Sequence, residues 1–373
     1  MNRHLTKRAA LFLSFGLALA TVAIVAGCGI GGGSSSAPDR PAAKSAGHWR
    51  TIANAPEPVA ADRTTVWTGS EMIVTGVNPG QDGTYVDSSE VAEAYNPRTD
   101  AWRMLPTPPK TENYCRRSAV WTGSEMLVWG CEVTAFDPKA NRWRRLPDAP
   151  TRHGIAAWTG RELIGWGGGC CGDVSDDGSA YNPSTNTWRK LAPAPVSGQQ
   201  SPVGAWTGRE LVIFDGHGPE GDPVRGAAYN PRTDTWRQIP SGPGIRALSA
   251  VYDGNEIYTV GGPRVLAFDP SNNSWRRLPP TVSGAGPAAV WTGDRLILSG
   301  SATQAYDPPR DVWKSYSTSP LGSRQDAEAV WTGHELIVWG GLVPQSAGPP
   351  KYLADGAAFI PPKYSPPLPQ CSC

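Results

Sequence analysis

Histidine, methionine and phenylalanine are scarce in this chain, with 5 His, 4 Met and 6 Phe among 373 residues. A zinc site needs His or thiolate ligands at short, characteristic spacings, and no such spacing occurs, so no metal is expected. Charge of one sign is missing too. Lys and Arg number 34 against 33 Asp and Glu, a formal +1, without the concentrated basic footprint that nucleic-acid binding requires. Beyond residue 26 no apolar stretch is long enough to span a bilayer, and long charged helical runs are few. What is plentiful is Gly (43), Pro (37) and Trp (16), a turn-rich composition that fits one large all-β domain.

The tryptophans expose a repeat. Seven times an aromatic segment closes with Trp followed by Arg or Lys, at Trp49, Trp102, Trp143, Trp188, Trp236, Trp275 and Trp313. In the last six the lead-in is an aromatic residue and an Asx-Pro pair, from Tyr95-Asn96-Pro97 to Tyr306-Asp307-Pro308. A period of about 40 to 50 residues means one supersecondary unit copied around an array. Out of phase with it runs a second signature, Val66-Trp67-Thr68-Gly69-Ser70-Glu71-Met72-Ile73-Val74, which recurs from Val120, Ala157, Ala205, Val251, Val290 and Val330. Apolar β-branched and aromatic runs on either side of Thr-Gly or Asp-Gly predict a hairpin, because Gly accepts the positive φ of a tight reversal.

Each hairpin supplies strands a and b of a unit, and the Asx-Pro and Trp-Arg pieces supply c and d. Pro sets φ for the c–d turn, and the preceding Asn or Asp can hydrogen-bond its backbone. Four antiparallel strands make one propeller blade. The last hairpin is followed by a c-like strand, Gly356-Ala357-Ala358-Phe359, but by no further Trp. His48-Trp49-Arg50-Thr51-Ile52 has the d pattern with no a, b or c before it, and so is expected to complete the final blade. The prediction is a seven-bladed β-propeller whose two chain ends pair, leaving no blade edge to unzip.

On this reading seven Trp lie on strands d, six end strands a, and Trp129, Trp166 and Trp339 lie on strands b. They are expected to be structural, with the d-strand rings buried between blades and the adjacent cations decorating the outermost strand.

The hairpins ending in Gly-Gly (Gly167-Gly168, Gly261-Gly262, Gly340-Gly341), the aromatic strand leading to Asn/Asp-Pro and the Trp that follows resemble kelch repeats, the blades of kelch and galactose-oxidase-like propellers. The resemblance covers residues 47–360 and points to a bacterial branch. Copies one, two, four and six lack a clean Gly-Gly, as at Gly130-Cys131 and Gly300-Ser301. The fold it implies hosts binding modules and enzymes alike. Galactose-oxidase-like chemistry requires copper held by two His and two Tyr, one of them Cys-linked. Past the leader this chain has only His48, His153, His217 and His334, spread over different blades, so neither that centre nor any other cofactor is expected. The recurrent Ser-x-Asp-x-Gly-x-x-Trp turns of sialidases are missing as well.

The leader has its own chemistry. Arg3, Lys7 and Arg8 precede an uncharged stretch from Ala9 to Ala26 that ends Val25-Ala26-Gly27-Cys28, the pattern of a secretory signal with a lipobox. Residues 1–27 are therefore expected to be removed and Cys28 to carry the lipid, anchoring the chain on the extracytoplasmic side of the cell membrane. Losing three cations and no acid takes the formal charge from +1 to −2. Residues 28–46, rich in Gly, Ser and Ala, read as a flexible tether, and 361–373 as a Pro-rich tail. Six cysteines remain beyond Cys28. Cys115 and Cys131 flank the second hairpin almost symmetrically and are expected to pair. Cys170-Cys171 and Cys371-Ser372-Cys373 could each close internally or cross-link to one another. The acidic loop Asp173 to Asp177 fits no calcium-loop spacing and reads as solvated.

The b–c connections and the passages from d to the next a share one face of such a ring. Among these copies they are long and irregular, whereas the a–b and c–d turns on the other face hardly vary, and variation on a repeated scaffold points to the working face. Leading into strands a on that face are Arg63, Arg116, Arg117, Arg152, His153, Arg246, Arg324, Asp326 and Glu328. Two readings stand. The Arg forks could recognise an anionic glycan or an acidic protein partner at the channel mouth, or these charges could pair with one another. The protein is expected to be a binding or scaffold module. The alternative is a carbohydrate-active enzyme resembling a sialate mutarotase, with Glu328 as the acid beside sugar-binding Arg.

Overall fold

The computed structural model describes residues 47–78, 88–110, 117–130, 132–151, 154–169, 174–199, 201–214, 224–245, 247–281, 288–300, 302–346 and 349–366. Every expected blade is present as a four-stranded antiparallel sheet. The first strands, a, are Ala61–Trp67, Ser118–Trp121, Ile155–Trp158, Val203–Trp206, Ser249–Tyr252, Ala288–Trp291 and Glu328–Trp331. Each touches the first strands of its two neighbours, so the seven close a ring. Among the described residues no helix is long and apolar enough to cross a membrane.

Strand chemistry follows position in the blade. Strands b are flanked by strands on both edges and by neighbouring blades on both faces, so they read as unbroken apolar runs. Met126–Trp129, Leu211–Phe214 and Leu336–Trp339 are buried at every position. Strands d border solvent and alternate, as Arg142–Arg145 does with exposed ends and a half-buried Trp143. Seven core clusters fill the seven seams, one between each pair of adjacent blades. At the seam of blades two and three the fit is close. A Cβ on Gly165 would lie 2.3 Å from the Trp129 ring, so only glycine admits the indole there.

The terminal sheet closes as the repeat arithmetic requires. His48–Ile52 pairs antiparallel with Gly356–Ile360 in register His48↔Ile360 and Trp49↔Phe359, and Gly356–Ile360 in turn pairs with Leu336–Trp339.

The d-strand Trp residues do more than fill space. Trp102, Trp143, Trp188, Trp236, Trp275 and Trp313 each donate their indole N–H to the carbonyl four residues beyond the preceding d-strand Trp. The acceptors are Ala53, Pro106, Pro147, Ala192, Pro240 and Pro279, all at 2.8 Å. Trp49 completes the set by reaching Ser317 O at 3.2 Å and Thr303 Oγ1 at 3.1 Å. Each blade is thus stitched to its predecessor by a hydrogen bond worth about 1 kcal/mol on top of the ring burial.

The cations next to these Trp residues differ from the expectation that they merely decorate an edge. Arg103, Arg144, Arg189, Arg237, Arg276 and Arg50 reach across their sheets to the Glu that begins strand b. The partners are Glu71, Glu125, Glu162, Glu210, Glu256 and Glu335, with closest approaches of 2.6–2.9 Å. The cause is register: c separates d from b, and a long Arg spans it on the same face. Several of these Arg also reach the next blade: Arg50, Arg189 and Arg276 donate to the hydroxyls of Tyr95, Tyr229 and Tyr306, and Arg237 donates to Pro270 O and Asn273 Oδ1.

On this face the turns are stereotyped. In the a–b turn the Thr68 hydroxyl accepts from the Glu71 N–H at 2.9 Å, and Thr122, Thr159, Thr207, Thr292 and Thr332 repeat the arrangement. Asp253 substitutes in blade five. In the c–d turns of blades one to five the Asx side chain accepts from the backbone as expected, with Asn96 Oδ1 receiving the Arg98 N–H at 3.0 Å, whereas Asp307 of blade six makes no such cap.

Candidate functional site

The opposite face carries the irregular connections. Between strands b and c they range from Gly262 and Pro263 alone in blade five to residues 340–355 in blade seven, where Leu342–Val343 and Lys351–Tyr352 form a small ribbon. Of the residues expected to line the mouth, Arg116, Arg152, His153 and Arg246 lie outside the described residues, as do Cys28, Cys115 and Cys131. The remaining five fall into three groups.

The first is the seam between blades seven and one. Arg63 donates from Nη1 to Val59 O at 2.9 Å and Ala60 O at 2.7 Å, and from Nη2 to Asp326 O at 2.7 Å, while its Nε has no partner. Arg63 therefore ties the last blade to the first through backbone carbonyls. Asp62 and Asp326, each just ahead of its strand's regular pairing, adopt left-handed φ of 47° and 51°, a conformation that short polar side chains tolerate better than most. Glu328 stands at the start of strand a of blade seven. Burial pushes its carboxyl above the ordinary range, and the charge of Arg63 only partly offsets this.

The second group is a buried ion pair. Arg117 holds Glu90 in a two-pronged contact at 2.6 and 2.7 Å, with side chains 6% and 5% exposed. It joins the start of strand a in blade two to strand c of blade one. The third is Arg324, which grips Asp355 at 2.9 and 3.1 Å and Gly340 O at 2.9 Å. That hydrogen-bonded partner holds the Asp355 carboxyl below the usual carboxylate range. Glu90 and Asp355 escaped the sequence reading for different reasons: Glu90 lies near the start of strand c of blade one, in the part that extends beyond the shared repeat, and Asp355 lies in a connection with no repeat.

The arrangement is therefore one of internal clamps. The Arg63, Arg117 and Arg324 forks each fasten one segment of the irregular face to another, and Glu328 lies at the seam of blades seven and one with its carboxyl near Arg63. The structure brings Arg63, Asp326 and Glu328 together and sets Arg117 and Arg324 apart from them.

Another carboxyl, outside the expected set, is also shifted upward. Glu93, fully buried on strand c of blade one, accepts the Glu57 N–H at 2.9 Å, while its second oxygen has no partner. Burial raises its pKa to about 7.

Residues 167–195 match the kelch motif, the b–c and c–d portion of blade three. No curated protein matches the chain. Among solved structures, a fungal alcohol oxidase described as having catalytic diversity among the AA5 family, in complex with copper, superposes with a TM-score of 0.67 at 14% identity, covering 85% of this chain and 76% of its own. That likeness is one of fold. Among the described residues no three His, Cys, Asp or Glu are grouped to hold a metal, and His48 and His334 are both exposed. The hydroxyls of Tyr95, Tyr181, Tyr229, Tyr258 and Tyr306 are spent on Asp100, Asn186, Asp234, Asp253 and Asp311. Seven sheets of four antiparallel strands, closed at Trp49, make this chain a seven-bladed β-propeller with a kelch motif in its third blade.

Proposed function

We propose that the protein is a binding or scaffold module that presents the irregular face of its ring to an anionic glycan or a protein partner. In this proposal a lipid on Cys28 holds it on the extracytoplasmic side of the cell membrane. The observation that carries the reading is the asymmetry of the two faces: one is stereotyped down to its turn hydrogen bonds, and the other varies from blade to blade on a ring stitched by seven indoles. Rigid scaffolds that display variable loops are a recurrent solution for recognition. The closed Arg clamps favour a partner read by the loops and the Glu328 seam over one chelated by a ring of free guanidinium groups.

A second reading rests on Glu328 itself. A carboxyl whose proton affinity is raised by burial, set near Arg63, has the elements of an acid catalyst for anomeric proton transfer. One experiment separates the two. The protein is titrated with acidic sugars and cell-wall fragments while Trp fluorescence reports binding and NMR exchange spectroscopy reports anomeric interconversion. Saturable binding without exchange supports the module, whereas exchange abolished by Glu328→Gln supports the enzyme. A flat titration across all the ligands refutes both.

A further inference from the structure

Blade six breaks the charge rule that the other blades obey. Where they place Glu at the start of strand b and Arg after the d-strand Trp, blade six has Arg295 and Lys314. Two cations thus occupy positions that elsewhere form an ion pair. Arg295 is 6% exposed and turns to its neighbour Asp294, at 2.8 and 3.1 Å. Lys314 is exposed, with its ammonium 5.3 Å from the centre of the Tyr316 ring and no ion pair among the described residues.

The tail builds a wall over this place. Tyr364 donates to Asp307 Oδ1 at 2.9 Å, its ring lies 4.8 Å from the Arg295 guanidinium, and Arg310 donates to Ser365 O at 2.8 Å. Between the blade and the tail is a groove of about 610 Å³ lined by Arg295, Arg310, Lys314, Lys363, Tyr316 and Tyr364 among others. That volume is in the range of small-molecule sites. Arg310 pairs with Asp307, so four cations face the carboxylates of Asp294 and Asp307, and Lys363 is exposed with no ion pair among the described residues.

We infer that this groove is a second binding site, on the face opposite the irregular loops, for a small carboxylate- or phosphate-bearing molecule. The argument is one of substitution. In six blades a Glu carboxylate sits between strand b and the d-strand Arg. In blade six Arg295 stands in place of that Glu, so two cations meet where an ion pair forms elsewhere, and the anionic group of a ligand supplies the missing negative charge. The body of the ligand lies against Tyr316 and Tyr364. Guanidinium and ammonium groups around an anion give charge-assisted hydrogen bonds, about twice the strength of neutral ones.

The test uses the full-length protein in detergent, titrated calorimetrically with inorganic phosphate and with glucuronate at low and high salt. Saturable binding of either, weakened by salt, is expected. If phosphate alone binds, the ligand is a phosphate ester, and if glucuronate binds more tightly, it is a carboxylate. The double variant Arg295→Glu with Lys314→Arg installs the pair of the other six blades. It should keep the melting temperature and bind at least tenfold more weakly. Lys314→Ala with Lys363→Ala, both exposed positions, gives the same loss if the first variant does not fold. Absence of saturable binding to the wild type, or unchanged affinity in a folded variant, overturns the assignment.

Discussion

Replacing Glu93 by Gln should make the stability of this propeller markedly less sensitive to pH. Glu93 sits on strand c of blade one, fully buried, with one oxygen satisfied by the Glu57 N–H and the other by nothing. Its pKa rises from 4.5 to about 7, chiefly by desolvation. Between those values the folded chain keeps a proton that the unfolded chain has released, so stability falls as pH rises through the window and levels off above pH 7. The displacement corresponds to about 3 kcal/mol between pH 4 and 8. Gln cannot ionise, and whatever fixed cost its amide carries is the same at every pH. Urea denaturation of wild type and Glu93→Gln at intervals from pH 4.5 to 8 should therefore show the variant gaining about 3 kcal/mol on the wild type across the range. A difference that stays constant with pH would refute the burial argument.

Closure offers a second measurement. Trp49→Phe keeps most of the ring but leaves Ser317 O and Thr303 Oγ1 without their donor, and should cost about 1–3 kcal/mol in chemical denaturation. Cleavage by a protease near the chain ends should accelerate with it. The Arg117–Glu90 pair is 5–6% exposed, so Arg117→Met strands a buried carboxylate and should cost about 3–5 kcal/mol, while adding Glu90→Leu should recover much of the loss. If the single and double variants lose the same amount, the pair is not the unit of stabilisation.

Blade number, strand order and the closing strand were legible because they depend on period, and a Trp-Arg pair at Trp49 without its own hairpin can be counted. The indole stitches follow the same period, yet their acceptors are backbone carbonyls that carry no sequence signature. The Glu–Arg ladder was half visible: both partners belong to the repeats, but only the sheet register brings Arg103 over Glu71. At the mouth the disposition of the expected residues was not readable. Of the partners of Arg117 and Arg324, Glu90 sits near the start of a strand c longer than its siblings, and Asp355 in a connection where neither spacing nor alternation constrains position. The anomaly of blade six stood in plain sight, as Thr292-Gly293-Asp294-Arg295 against the Thr-Gly-x-Glu of its siblings, but its meaning depends on a tail that crosses back over the blade.

Pairing His48 with Ile360 also sets a timetable. Synthesis delivers the two halves of the last sheet at opposite ends of its course, so six sheets can stack while the earliest-made ribbon waits for the latest-made one. Joining them makes a loop of nearly the whole polypeptide. The entropy of such a loop grows only with the logarithm of its length, whereas folding speed drops steeply as contacts become more distant in sequence. The burden of the circle thus falls on the rate of maturation more than on the firmness of the finished molecule.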